Sequence, residues 1–193
     1  MNGFQRRKEM KMNSILSAAF ELFLSQGIKK SNIAEIAKKA GVSQVSIYNF
    51  FQNKQNLVRQ TVFAYMDDGL KKSERVLESD LPFPEKLEKL LFISDEADRQ
   101  SGPEFFKSVI ASDPSILGLL NEYYQSKTEP FILRLVEQGK QEGCINPDLS
   151  AEALRLYIRA LQELLAQPNL SKEVILDINA LFFYGLQGKP PNH

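Results

Sequence analysis

The chain has 193 residues, 43% hydrophobic and 25% charged, with a formal net charge of zero. This is ordinary globular composition, which excludes general disorder, and the length suits one larger domain or a small domain joined to a medium one. A single cysteine, Cys144, and a single histidine, His193, exclude an intramolecular disulfide framework and leave no expectation of a metal site, a cofactor or a Cys–His catalytic pair. The lone thiol fits a reducing cytoplasm, which is the expected location. No apolar run approaches the roughly 18 residues of a membrane span, and the basic opening "MNGFQRRKEMKMN" has no apolar core after it, so neither membrane insertion nor secretion is expected.

The zero net charge hides a split. Residues 1–72 carry 12 Lys and Arg against 5 Asp and Glu, a net of +7, and residues 73–193 carry 12 against 19, a net of −7. A basic first third on an acidic remainder points to a polyanionic partner for that third alone.

Apolar residues recur at helical spacing almost throughout, and period-two alternation is absent, so the expected fold class is all-α with about nine helices. Ile15, Ala18, Ala19, Leu22 and Phe23 follow the i, i+3, i+4, i+7, i+8 pattern of a first helix over 5–26, stopped at Gly27. Asn32 and Glu35 have the spacing of a capping box and open a second helix that ends at Gly41. Ser43 caps a third helix over 44–50, and Asn53 caps a long fourth helix over 54–78. The two prolines of "LPFPEK" break the chain after it.

Beyond that break the spacing predicts a fifth helix over 84–98, a turn at Ser101–Pro103 and a sixth helix over 103–111. A long seventh helix runs from "SDP" to 142, kinked at Pro130. Eighth and ninth helices over 151–166 and 172–187 follow, both with wide apolar stripes that include Ile158, Leu165, Phe182, Phe183 and Leu186.

The segment "AGVSQVSIYNFFQNK" has the parts of a helix-turn-helix. Ala37 is a small residue for a close crossing, and Gly41 is a turn residue tolerant of positive φ. Ile33, Ile36, Ala40, Val42, Ile47 and Phe51 are the apolar lock between the two helices. The flank left over is short or planar. Gln44 can pair with adenine, Val45 can touch a thymine methyl and Ser46 can bond either kind of base edge. Tyr48, Asn49 and Lys54 suit phosphates, the last sharing one with the free N–H groups of its helix, and Ser43 caps the reading helix.

The stretch Asn32 to Leu57 also resembles the DNA-binding signature of the TetR family of bacterial regulators. The shared pattern is Ile36-Ala37, then Ala40-Gly41-Val42-Ser43, Ile47-Tyr48, Phe51, Lys54 and Leu57. One position departs: Phe50 stands where the family usually has Tyr or His, and it cannot donate a hydrogen bond. It is expected to pack against sugar or protein instead. Many relatives have a basic residue where Gln44 stands, which suggests a different operator.

The resemblance implies a helix-turn-helix domain at 1–53, a connecting helix at 54–78 and a helical ligand-binding and dimerisation domain at 79–193. It implies a homodimer through the last two helices, about 151–187, whose recognition helices read a palindromic double-stranded operator one DNA turn apart, roughly 34–36 Å. Repression is the family's habit. Release by an effector that tilts the fourth helix would need a preference of about 5.5 kcal/mol to move a 99:1 population to 1:99.

Candidate walls for the effector are Phe63, Met66, Phe92, Phe105, Phe106, Tyr123, Tyr124 and Phe131, whose aromatic weight favours an apolar or aromatic molecule. Aromatics at this spacing more often belong to a plain core. The competing reading is a helical protein-interaction module without sequence-specific DNA binding. Enzyme motifs are absent: there is no glycine-rich phosphate loop, nucleophile elbow or internal histidine.

Overall fold

The computed structural model describes residues 3–165 and 170–185, without the side chains of 91–92, 94–104, 158, 162–163, 165, 172, 179 and 182–185. The described residues are all-helical: α1 (Gly3–Gln26), α2 (Ile33–Ala40), α3 (Gln44–Phe51), α4 (Lys54–Leu77), α5 (Phe83–Ser112), α6 (Ile116–Tyr123), a π-helical turn (Tyr124–Thr128), α7 (Glu129–Gln141), α8 (Ala151–Leu165) and α9 (Lys172–Gly185). They form two compact units. The first joins the residues up to Gly69 to Gln100–Leu119, and the second joins Leu70–Arg99 to the residues from Leu120 onward. The expected boundary between 53 and 54 falls inside the first unit.

The first unit is built on the face of α1 that its spacing marked. Ile15, Ala18, Ala19 and Phe23 are buried, together with Ile33, Ile36 and Ala37 of α2, Ile47 and Phe51 of α3, and Leu57, Val58 and Val62 of α4. Ala40 and Val42 are half-buried at the edge of this lock. A second layer is aromatic. Phe20 stacks on Tyr65 at 4.7 Å and meets Phe105 edge-on at 5.4 Å, and Phe106 lies against both Phe105 and Tyr65. Arg59 of α4 is held by Asp113 and Ser115 in the turn before α6: Nε donates to Asp113 Oδ2 at 2.5 Å and an Nη to Ser115 Oγ at 2.7 Å. Ser115 in turn donates to Asp113 Oδ1 at 2.6 Å.

The second unit packs Leu77, Phe83, Leu87, Leu90, Phe131, Leu135, Val136, Ile145 and Leu154 into one core. The break between α4 and α5 is closed by polar caps. Lys86 Nζ, itself buried, donates to the Leu77 carbonyl at 2.9 Å, and the Phe83 N–H donates to Glu142 Oε2 at 3.2 Å. Each satisfies a helix-end group that has no partner within its own helix. Gly139 lets α7 approach this corner. A Cβ there would lie 2.5 Å from the Phe83 ring and 2.7 Å from Ile145 Cδ1.

Two expected elements differ. No turn interrupts α5 at Ser101–Pro103, so the expected fifth and sixth helices are one. Pro103 is carried within that helix at the cost of one N–H donor, roughly 3 kcal/mol. The long seventh helix is instead α6, a π-helical turn and α7. Pro130 has no N–H for the Ser126 carbonyl and its ring crowds that carbonyl. The chain widens there: the Glu129 N–H reaches back to the Tyr124 carbonyl, and Ser126 Oγ donates to the Glu122 carbonyl at 2.7 Å.

Candidate nucleic-acid interface

The corner at α2–α3 is fixed by local chemistry. Asn32 Oδ1 accepts the Glu35 N–H at 2.9 Å while Glu35 Oε2 accepts the Asn32 N–H at 3.4 Å, a complete capping box. Gln26 of α1 donates to the same Glu35 oxygen at 2.8 Å, which ties the start of α2 to the end of α1. At the other end Gly41 is left-handed, φ 67°. The Val42 N–H donates to the Ala37 carbonyl and the Gly41 N–H to the Lys38 carbonyl, the double closure of a Schellman motif. A side chain at 41 would be strained in that conformation.

Ser43 then caps α3. Its Oγ accepts the Ser46 N–H at 3.1 Å and shares a 2.9 Å hydrogen bond with the Ser46 hydroxyl. Two of the expected DNA-facing residues are therefore engaged with each other, and Ser46 is half-buried. Gln44, Val45, Tyr48 and Asn49 are exposed on the flank opposite the buried Ile47 and Phe51. Val45 is 66% exposed, and an aliphatic side chain so open on a short helix is informative only in company. Here its neighbours are an amide, a phenol and a second amide, the set that can read base edges and brace phosphates. Phe50 lies half-buried with its ring 6.1 Å from that of its neighbour Phe51.

The exit from α3 is tight. Gln52 has φ 64° and ψ −48°, and the Asn53 N–H donates to the Phe51 carbonyl at 2.7 Å, a γ-turn of the rarer, strained hand. Asn56 Nδ2 donates to the same carbonyl at 3.1 Å, and Asn53 Oδ1 caps α4 by accepting the Asn56 N–H at 2.8 Å. Sequence reasoning found the Asn53 cap but not the γ-turn, because nothing in a glutamine announces positive φ.

Lys54 is placed differently from its expected free reach to a phosphate. Its Nζ donates to the Ile28 carbonyl at 2.6 Å, and burial lowers its pKa. An ammonium carries three protons, so two remain for another acceptor.

The expected effector residues are divided between the two units. Phe63, Met66, Phe105 and Phe106 belong to the first unit, where Phe105 and Phe106 complete the ring cluster with Phe20 and Tyr65. Tyr123, Tyr124 and Phe131 belong to the second. The Phe92 side chain lies outside the described residues, as do those of Ile158, Leu165, Phe182, Phe183 and Leu186. Tyr124 stands out: its hydroxyl is buried with no hydrogen-bond partner, and burial, aided by the Glu129 charge, pushes its pKa up to about 12. Among the described residues no cluster of three or more His, Cys, Asp or Glu could hold a metal, and no helix is long and apolar enough to cross a membrane.

Residues 15–61 match the family described as bacterial regulatory proteins, tetR family. The chain is 27% identical over 175 residues to the HTH-type transcriptional regulator YhgD of Bacillus subtilis, covering 87% of this chain and 92% of that one. It is 24% identical over 159 residues to the HTH-type transcriptional repressor KstR2 of Rhodococcus jostii, covering 79% and 76%. In fold it is similar to the transcriptional regulator FadR of Bacillus subtilis in complex with stearoyl-CoA, with a TM-score of 0.60 at 19% identity over 90% of this chain and 98% of that one.

Proposed function

Starting from the fact that the chain belongs to the tetR family of bacterial regulatory proteins, we propose that it is a cytoplasmic, ligand-responsive repressor that binds a palindromic operator as a homodimer. The observation that carries this reading is the α3 flank. Gln44, Val45, Tyr48 and Asn49 are held outward by a helix whose other side, Ile47 and Phe51, is fully anchored. Residues 1–53 serve as the DNA-binding part, α4 as the connection and residues 79–193 as the effector and dimerisation part. The likeness to a protein named as a repressor supports the sense of regulation.

The dimer half rests on exposed apolar surface. On α8, Ala153, Leu156, Tyr157, Ala160 and Leu164 are exposed and fall within about 100° of one another at 3.6 residues per turn, while Leu154 turns inward. On α9, Val174 and Leu181 are exposed at i, i+7 spacing. Apolar surface of this kind is what a second copy covers.

The effector half rests on Tyr124, whose buried hydroxyl lacks the partner that such groups almost always have. A molecule with an apolar part and a hydrogen-bonding group near this hydroxyl would satisfy it, and a structural relative holds stearoyl-CoA, whose acyl chain is such an apolar part. Tyr124→Phe should then weaken effector binding without weakening operator binding.

The test is selection of bound sites from random duplexes, followed by anisotropy titrations between about 50 and 200 mM salt. Enrichment of an inverted repeat whose affinity falls steeply with salt supports the reading. Binding that ignores sequence and salt, with capture of a protein instead, supports the interaction-module alternative.

A further inference from the structure

The amino-terminal part of α1 extends past the helix-turn-helix it supports. The Ser14 hydroxyl donates to the carbonyl of Ala40, the last residue of α2, at 2.9 Å. Glu21 pairs with Lys39 at 2.8 Å and Gln26 with Glu35, so α2 runs back along α1 and ends at Ser14. Residues 3–13 lie beyond that point, roughly 16 Å of helix at 1.5 Å per residue. None of them is buried, and the first buried residue of α1 is Ile15.

This overhang carries Arg6, Arg7, Lys8 and Lys11 against the single acid Glu9, whose carboxylate meets Gln5. All four cations are exposed, and none makes an ion pair among the described residues. Their direction is set by helical phase. At 100° per residue, Arg7, Lys8 and Lys11 fall on the same lengthwise face as Ile15, Ala18, Ala19 and Leu22. The face that packs on the helix-turn-helix thus continues past its edge as a basic face. Gln44, where α3 begins, is only four residues after Ala40, at most about 14 Å of chain.

We infer that this overhang is a second DNA contact: Arg7, Lys8 and Lys11 bind backbone phosphates of the operator duplex outside the stretch that α3 reads, with Arg6, about 100° further round the helix from Arg7, adding its charge at longer range. The occupant follows from charge and continuity. The surface is cationic, it adjoins the start of the recognition helix, and a duplex lying against Gln44 and Val45 carries one phosphate charge per about 1.7 Å of its axis. The contact adds affinity and register and no base preference. It rests on the DNA-binding reading above.

The experiment uses the full chain and two fluorescein-labelled duplexes, the selected operator trimmed to its inverted repeat and the same operator with about ten more base pairs on each side, one helical turn. Wild type is compared with the variant Arg6→Gln/Arg7→Gln/Lys8→Gln/Lys11→Gln, and with Arg7→Gln/Lys11→Gln in case the fourfold change disturbs folding. Wild type should bind the long duplex more tightly than the trimmed one. The fourfold variant should lose that preference, with a salt slope shallower by about 0.9 for each phosphate contact removed. Equal affinity and slope for wild type and both variants on the long duplex overturns the inference and leaves the recognition helix standing. Loss of binding to anionic phosphatidylglycerol vesicles with DNA binding unchanged also overturns it. A wild type that binds no duplex overturns the DNA-binding reading itself.

Discussion

Replacing Lys54 with Met separates the two uses of one ammonium. The variant keeps the length and most of the apolar stem but removes the donor that reaches the Ile28 carbonyl at 2.6 Å. Hydrogen bonds to charged groups contribute about 1.5–3 kcal/mol. The side chain is half-buried, so the expected loss is at the lower end, about 1–2 kcal/mol. For a chain of this size each kcal/mol moves the melting midpoint by about 2–4 °C, giving a fall of about 2–8 °C.

The pH dependence of the difference has a definite sign. Burial lowers the folded-state pKa of Lys54, so its charge is disfavoured in the folded protein at neutral pH. That penalty lifts as pH rises through the lowered value toward the ordinary lysine range, and the neutral amine still donates. Wild type should therefore gain stability over Lys54→Met as pH rises. Urea denaturation reads the first effect, and operator anisotropy across a salt series reads the second. If the two remaining protons bind phosphate, the salt slope falls by about 0.9 per protomer on every sequence alike. Unchanged stability would refute the clamp to Ile28. Lost stability with an unchanged slope would make Lys54 a structural clamp only.

Gly139→Ala should destabilise the protein by about 1–3 kcal/mol, because the new methyl would meet the buried Phe83 and Ile145 below 3.0 Å; chemical denaturation checks it, and a neutral result would mean the α7 corner yields easily. Asp113, held at a pKa of about 2 by its hydrogen bonds to Arg59 and Ser115, contributes stability that is complete above its ordinary 3.8 and lost as pH falls toward 2. In Arg59→Met the protein should be less stable near neutral pH, and the fall in melting midpoint between about pH 4 and 2 should be shallower than in wild type, because Asp113 no longer has its pKa held down. Leu156→Glu with Leu181→Glu should shift the chain to monomer in sedimentation velocity and weaken operator binding, with little change in helix content, since both side chains are exposed.

The features legible in the sequence were those whose chemistry is local. The Asn32–Glu35 box, Gly41, the Ser43 cap and the Ile15–Phe23 stripe each declare themselves within one or two turns, and each is present. The exposed flank of α3 is legible by subtraction once Ile47 and Phe51 are assigned to the core. Long-range partners left no such trace. Arg59 and Asp113 are 54 residues apart, Lys54 and Ile28 are 26 apart, and nothing in their neighbours foretells the pairs.

Phe105 and Phe106, expected as effector walls, meet Phe20 on α1 and Tyr65 on α4, neighbours that periodicity alone does not choose. The prolines misled in a consistent way. Pro103 and Pro130 both signal local breakage, yet the chain absorbs one within α5 and the other in a π-helical turn. A proline removes one backbone hydrogen bond, and in both places the helical path continues beyond it.

The central claim is that the outward flank of α3 reads base edges. Its most direct test is a comparison of wild type and Gln44→Ala on the selected operator and on a set of its single-base variants. Wild type should discriminate at the position under Gln44 by about 1–3 kcal/mol, and the alanine variant should lose discrimination there while keeping it elsewhere. Equal preferences in both proteins at every position, or a uniform loss across all duplexes, would contradict the account.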